Sequence, residues 1–214
     1  ATVSITQPPL LTASIGSSTS INCNGGTGSA CVTPGGGTPA YTYAWSPSGG
    51  NSSCATNLAA GNYTVTVTDS KGCTKTATVS ITQPPLLTAS IGSSTSINCN
   101  GVCTGSASVT PGGGTPSYTY AWSPSGGNSS TATGLCAGNY TVMVTDVNGC
   151  TKTATVSIAQ PTAITISVTP TTATCGNNNG SASATVSGGN PAYTYSWSNG
   201  QTTTNATGLV AGTY

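Results

Sequence analysis

Apolar and polar residues alternate along this chain in short runs with a period of two. Over 62–69, Tyr63, Val65 and Val67 fall on one face, and Thr64, Thr66 and Thr68 on the other. Over 73–81, Ala77, Val79 and Ile81 oppose Thr74, Thr76, Thr78 and Ser80. Over 41–46, Tyr41, Tyr43 and Trp45 oppose Thr42, Ala44 and Ser46. Successive Cβ atoms of a strand point to opposite sides, so this pattern predicts strands buried on one face. Shorter strands are expected around 86–91, 94–97 and 106–110. Between the runs lie Gln-Pro-Pro, Pro-Gly-Gly-Gly-Thr-Pro, Pro-Ser-Gly-Gly-Asn and Asp-x-x-Gly. Pro and Gly break strands and set turns. The expectation is about seven short strands per unit, a small antiparallel β-sandwich.

The pattern repeats. Residues 1–24 recur unchanged at 77–100, and a diverged copy of the start, ATVSIAQP, lies at 154–161. VTPGGGTP stands at 32–39 and 109–116, YTYAWSPSGGNSS at 41–53 and 118–130, and GCTKTATVSI at 72–81 and 149–158. The third copy is looser, with YTYSWSNG at 193–200 and GLVAGTY at 208–214. The period of 76 and then 77 residues suits a small autonomous domain. The division expected is 1–9, the terminal strand of a preceding repeat; 10–85, repeat one; 86–161, repeat two; and 162–214, an incomplete repeat three. Both ends cut through a repeat, as a window on a longer tandem array would. The alternative is donor-strand assembly, in which residues 1–9 of one chain complete the third repeat of a neighbour. Val3 and Ile5 match Val79 and Ile81 for that role.

Composition narrows the function. Ser, Thr, Gly and Asn make up more than half of the 214 residues. The only charged side chains are Lys71, Lys75, Lys152, Asp69 and Asp146, and there is no His, Arg or Glu. Without His there is no Ser-His-Asp or Cys-His nucleophile. Two Asp residues in separate repeats make neither a glycosidase pair nor a calcium cage. Three Lys residues give no cationic footprint for nucleic acid. The chain is therefore expected to be no enzyme and to need no cofactor. A hydrophobic fraction of 35% in alternating runs argues against disorder. No apolar run is long enough for a membrane-spanning helix, and no signal peptide opens the chain.

Each repeat also carries a Leu, then Ala-Gly-x-Tyr, then an alternating strand: Leu58–Tyr63, Leu135–Tyr140 and Leu209–Tyr214. This is the pattern of the tyrosine corner of immunoglobulin-like sandwiches. Tyr63, Tyr140 and Tyr214, with Trp45, Trp122 and Trp197, are the expected core aromatics. The expected fold class is thus all-β, with tandem immunoglobulin-like antiparallel β-sandwich domains in a linear array. The order GG-x-P-x-YTYSWSNG, GL-x-AGTY-TV-x-VTD-x-x-GCT and SI-x-QP resembles the SprB repeat. That repeat belongs to large surface proteins of Bacteroidota, among them a gliding-motility adhesin. The resemblance implies export to the cell surface through the type IX system and an adhesive or filamentous role. It implies no catalytic residue. The extra cysteines and scarcity of acids depart from the family pattern.

The nine cysteines fall into columns. Cys23, Cys99 and Cys175 are equivalent, and so are Cys73 and Cys150 in the Asp-x-x-Gly-Cys turn. Repeat one adds Cys31 and Cys54, and repeat two adds Cys103 and Cys136. Cysteines gained in pairs point to disulfides within a repeat. The pairing expected is Cys23–Cys73, Cys99–Cys150, Cys31–Cys54 and Cys103–Cys136, although spacing alone does not set connectivity. No Cys-x-x-Cys spacing points to zinc or to a redox pair. Disulfides place the chain in an oxidising, extracellular setting, at the cell surface or secreted.

With 2% charge, solubility must come from hydroxyls, amides or covalent sugars. Among the Asn-x-Ser/Thr sequons, Asn51, Asn128, Asn179 and Asn205 are the candidate glycan sites, while Asn62 and Asn139 begin strands. Two functions remain. One is a structural extracellular rod or fibril on a bacterial surface, joined to itself end to end. The other is an adhesin module that binds carbohydrate or a host surface. Neither calls for nucleic acid or membrane insertion.

Overall fold

The computed structural model describes all 214 residues, and every regular element in it is a β-strand. No helix is long and apolar enough to cross a membrane. By contacts the chain divides into two compact units. The first comprises Ala1–Ala89, Pro111–Thr119 and Val144–Lys152, and the second Ser90–Thr110, Tyr120–Met143 and Thr153–Tyr214.

Repeat one lies wholly in the first unit. Its strands are β1 (Thr12–Thr19), β2 (Gly28–Gly35), β3 (Thr42–Ser46), β4 (Cys54–Leu58), β5 (Gly61–Thr68) and β6 (Thr74–Ile81). They form two antiparallel three-stranded sheets, ordered β1-β2-β4 and β3-β5-β6. The alternation explains the packing. Val65 and Val67 are fully buried, while Thr64, Thr66 and Thr68 turn outward. Trp45 lies opposite Val65 in the β3–β5 register, and Val65 lies opposite Ala77 in the β5–β6 register. From the other sheet, Ala30, Val32, Ala55 and Leu58 meet them, and Leu11, Ile21 and Ile81 close the core. Each fully buried Leu, Ile or Val contributes about 1.5–3 kcal/mol. This is a sandwich with one core between two sheets.

Repeat two follows the same plan. Its strands are β7 (Thr88–Thr95), β8 (Gly105–Gly112), β9 (Tyr118–Ser123), β10 (Thr131–Leu135), β11 (Gly138–Asp146) and β12 (Thr151–Ile158). The sheets are ordered β10-β8-β7 and β12-β11-β9. Trp122, Tyr140, Val142, Val144, Leu135 and Ile158 are buried, as their counterparts are in repeat one. Repeat three contributes one sheet, β13 (Thr165–Thr171), β14 (Gly180–Ser187) and β15 (Asn205–Leu209), in that order. Its core is small: Ala182, Ala206 and Leu209, with Trp197 half-buried against them.

A full repeat thus has six strands, one fewer than expected. The segment 94–97 is not a strand of its own. Ser94 and Thr95 end β7, and Ile97 turns inward to be buried, its amide donating to the Ala159 carbonyl at 2.8 Å. Strands β4 and β10 show no simple alternation. Asn57 and Gly134 take positive φ within them, which breaks the period of two.

Candidate functional site

Three disulfides are present: Cys31–Cys54, Cys103–Cys136 and Cys23–Cys150. The first two match expectation. Cys31 and Cys54 are direct cross-strand partners on β2 and β4, with Cα atoms 4.0 Å apart. Cys103 and Cys136 flank the facing pair Gly105 and Leu135. The expected Cys23–Cys73 and Cys99–Cys150 pairs do not form. Cys23 bonds instead to Cys150, and Cys73, Cys99 and Cys175 are exposed free thiols.

The geometry of a repeat explains the correction. Cys23 follows Ile21, whose amide donates to Thr82 O just past the end of β6. Cys73 immediately precedes the start of β6. The eight residues of β6 therefore separate the two cysteines by roughly 25 Å at about 3.3 Å per residue. A disulfide tolerates a Cα separation of at most about 7 Å. Cys99 and Cys150 stand at opposite ends of β12 for the same reason, since Ile97 donates to Ala159 O. The two cysteine columns mark opposite ends of a repeat.

The segment that leaves one repeat and enters the next is held on both sides. In the first unit, Gly25 N donates to the Gln83 side chain at 2.9 Å, and Asn24 Nδ2 donates to Pro84 O at 3.0 Å. On the other side, Gly114 N donates to Pro85 O at 2.9 Å. Asn148 Nδ2, in the turn carrying Cys150, donates to Asn22 O at 3.1 Å and to Thr115 Oγ1 at 3.0 Å. The disulfide closes the same joint. In the second unit the pattern recurs. Gly101 N donates to Gln160 Oε1, Asn100 Nδ2 to Pro161 O, Gly189 N to Thr162 O and Asn190 Nδ2 to Asn98 O. The glycine triplet is required here. A Cβ on Gly113, whose φ is +64°, would lie 2.0 Å from Leu86 O.

The cysteine turn is shaped by a buried aspartate. The amide of Thr38 donates to Asp69 Oδ2 at 2.9 Å, and the amides of Lys71 and Cys73 donate to Oδ1. The Thr38 amide holds the Asp69 carboxyl below its ordinary value, the Cys73 and Lys71 amides adding to it against the upward pull of burial. At Asp146 burial pulls upward, and the amides of Thr115, Cys150 and Asn148 outweigh it, so its pKa is lowered too. No three of the acidic and cysteine side chains come together as a metal-ligand set.

The tyrosine corners form in all three repeats. Tyr63 donates its hydroxyl to Ala59 O, Tyr140 to Cys136 O and Tyr214 to Val210 O. Trp45 and Trp122 are buried, and their indole N–H groups reach Ser52 O and Ser129 O at 2.9 Å. Two expected core residues differ. Tyr214 is 41% exposed and Trp197 only half-buried. The sheet β3-β5-β6, on which Trp45 and Tyr63 lie, has no counterpart among residues 162–214. Asn51 and Asn128 lie exposed in the loops before β4 and β10. Asn205 is exposed on β15, whereas both polar atoms of the Asn179 side chain bond to Thr174.

The model of one family, described as SprB repeat, matches residues 15–50, 91–127 and 165–202, just over half of the chain. The chain belongs to the SprB repeat family. Each match runs from the first strand of a repeat through its Trp, so the cysteine turn and the tyrosine corner lie outside the matched SprB segments. Comparison with curated proteins finds no match. Among solved structures, this SprB-repeat chain is similar to the three N-terminal domains of the highly immunogenic outer capsid protein of bacteriophage RB49. The identity is 20%, over 84% of this chain and 69% of that one, with a TM-score of 0.43. It is also similar to a Dscam structure described for isoform specificity, at 15% identity, over 75% and 45% of the two chains, with a TM-score of 0.30. Domains 1–6 of the surface layer protein SbsC align at 13% identity, over 84% and 38% of the chains, with a TM-score of 0.31. The chain spans less than half the length of these last two.

Proposed function

We propose that this chain is a structural, non-enzymatic rod or fibril of tandem SprB repeats, displayed outside a bacterial cell and joined to further repeats end to end. The observation that carries this is the joint. Gln-Pro-Pro at 83–85 is bonded to the loop before it and to the glycine loop after it, and Cys23–Cys150 closes the same place. A flexible linker would leave neighbouring repeats free to tumble. A linker bonded on both sides, with Pro fixing φ, has fewer conformations open to it. The disulfides and the family support an extracellular site. The surface of hydroxyls and amides suits a glycan-bearing rod, with Asn51 and Asn128 as the sites open to modification.

Residues 1–9 belong to the same scheme. They carry the sequence of 77–85, and Val3 and Ile5 are 87% and 93% exposed. These side chains are available to another repeat in the way Val79 and Ile81 serve repeat one.

Small-angle scattering of the full chain tests the rod. An elongated particle, whose maximum dimension falls when the disulfides are reduced, is expected. A compact or freely flexible particle under oxidising conditions would sink the reading.

A further inference from the structure

The Cys23–Cys150 bond joins a first-column cysteine of one repeat to a second-column cysteine of the next. We propose that this is a rule of the array. On this rule Cys73 is the half-site for the first-column cysteine of a repeat placed before it, and Cys175 the half-site for the second-column cysteine of a repeat placed after it, so a second copy of residues 1–214 can supply either partner. Cys175 of one copy takes Cys73 of the next. The proposal rests on the end-to-end reading above and adds a covalent bond to it.

The existing bond sets the geometry. Cys150 reaches Cys23 because its turn is held by Asp146 against Thr115, and because that turn bonds to Asn22 O. Cys73 sits in the same turn, held by Asp69 against Thr38 at the same 2.9 Å, and the Lys71 backbone amide donates to Asp69 as that of Asn148 does to Asp146. Its thiol is exposed. Cys175 stands five residues before Gly180, as Cys23 stands before Gly28. It too is exposed, beside an open cleft of about 530 Å³ bordered by Asn177, Asn178 and Val210. The two half-sites are complementary in the way Cys23 and Cys150 are. Cys99 is an exposed thiol too, but on the same rule its partner is a second-column cysteine of repeat three, and residues 162–214 carry none.

The reaction is a thiol oxidation by a small disulfide such as oxidised glutathione. The thiols of Cys73 and Cys175 each lose one proton, and together they lose two electrons, as their S–S bond forms. The glutathione S–S bond breaks, takes up both electrons and both protons, and leaves as two thiols. Residues 1–214 carry one half of each kind, so bonding between copies of them propagates head to tail and does not stop at a dimer.

The test treats the full 214-residue chain with a glutathione redox buffer and reads it on non-reducing gels and by peptide mapping. A reducible ladder beyond the dimer is expected, with Cys73 linked to Cys175. Cys73→Ser and Cys175→Ser should each abolish every species above the dimer, and Cys99→Ser should leave the ladder intact. Monomer alone, a ladder that survives Cys73→Ser, or only like-with-like links overturns the proposal. Elongated particles from a chain that forms no Cys73–Cys175 bond would refute the bond and leave the rod standing. Compact particles would refute the rod itself.

Discussion

Asp69 and Thr38 are 31 residues apart in sequence, and the Thr38 amide donates to the Asp69 carboxylate at 2.9 Å. The same carboxylate receives the amides of Lys71 and Cys73. One buried side chain thus ties the glycine loop of a repeat to the turn that presents its cysteine. Asp146 does the same for Thr115 and Cys150, and Cys150 is in a disulfide. In a chain with two acidic residues, both are spent on aiming a cysteine.

The first prediction concerns pH. Both Asp carboxyls have folded pKa values below the ordinary 3.8. A depressed carboxyl pKa stabilises the fold above its unfolded value, and that stability is lost as pH falls through the folded value. No other side-chain carboxyl exists to blur the effect. The melting temperature should therefore be flat from neutral pH down to roughly the unfolded Asp value and decline below it. Asp69→Asn with Asp146→Asn should melt lower at pH 7 and lose most of the acid decline. An acid decline unchanged in that variant would refute the role.

What could be read from the alternation was the burial of one face. Tyr63, Val65, Val67 and Trp45 are buried where the period of two puts them. Strand β4 escaped because Asn57, at φ +57°, breaks that period. The cysteine columns identified which residues are equivalent, but equivalence does not say which end of a repeat a residue occupies. Only the run of β6, between the Cys73 turn and Thr82, shows that Cys23 faces onward to the next repeat. Tyr214 forms its corner as the motif implies, and its exposure goes with the absence of a counterpart to the sheet β3-β5-β6 among residues 162–214, which no local motif records.

The second prediction concerns the disulfides. Cys31–Cys54 closes a loop of 23 residues, so Cys54→Ser should lower the stability of repeat one by about 3 kcal/mol in urea unfolding. Non-reducing peptide mapping should recover Cys23 with Cys150. Recovery of Cys23 with Cys73 would contradict the geometry of β6.

The third prediction separates close approach from backbone strain. Gly101 and Gly113 both have positive φ, +80° and +64°. A Cβ at Gly101 meets nothing within 4 Å, whereas one at Gly113 lies 2.0 Å from Leu86 O. Gly101→Ala should cost about 1–2 kcal/mol for the left-handed backbone alone. Gly113→Ala should cost more, because the linker must also move. Equal losses in urea unfolding would mean that the linker does not lie on the glycine loop.

The fourth prediction uses the tyrosine corner as an internal ruler. The Tyr63 and Tyr140 hydroxyls bond to carbonyls at 3.1 Å from buried rings. Loss of such a hydroxyl removes a hydrogen bond worth about 1 kcal/mol and leaves a carbonyl with poorer access to water. Tyr140→Phe should therefore destabilise repeat two by about that amount. Tyr214 makes the same bond from a ring that is 41% exposed. Water can replace its hydroxyl at the Val210 carbonyl, so Tyr214→Phe in the isolated chain should cost only a few tenths of a kcal/mol. If the end-to-end reading holds, the two substitutions should converge in the assembled state, where residues 1–9 of a neighbour would flank Tyr214 as β6 flanks Tyr63. Urea unfolding of the monomer and of cross-linked oligomers gives the comparison. A Tyr214→Phe effect that stays small in the oligomer would show that repeat three gains no cover from its neighbour.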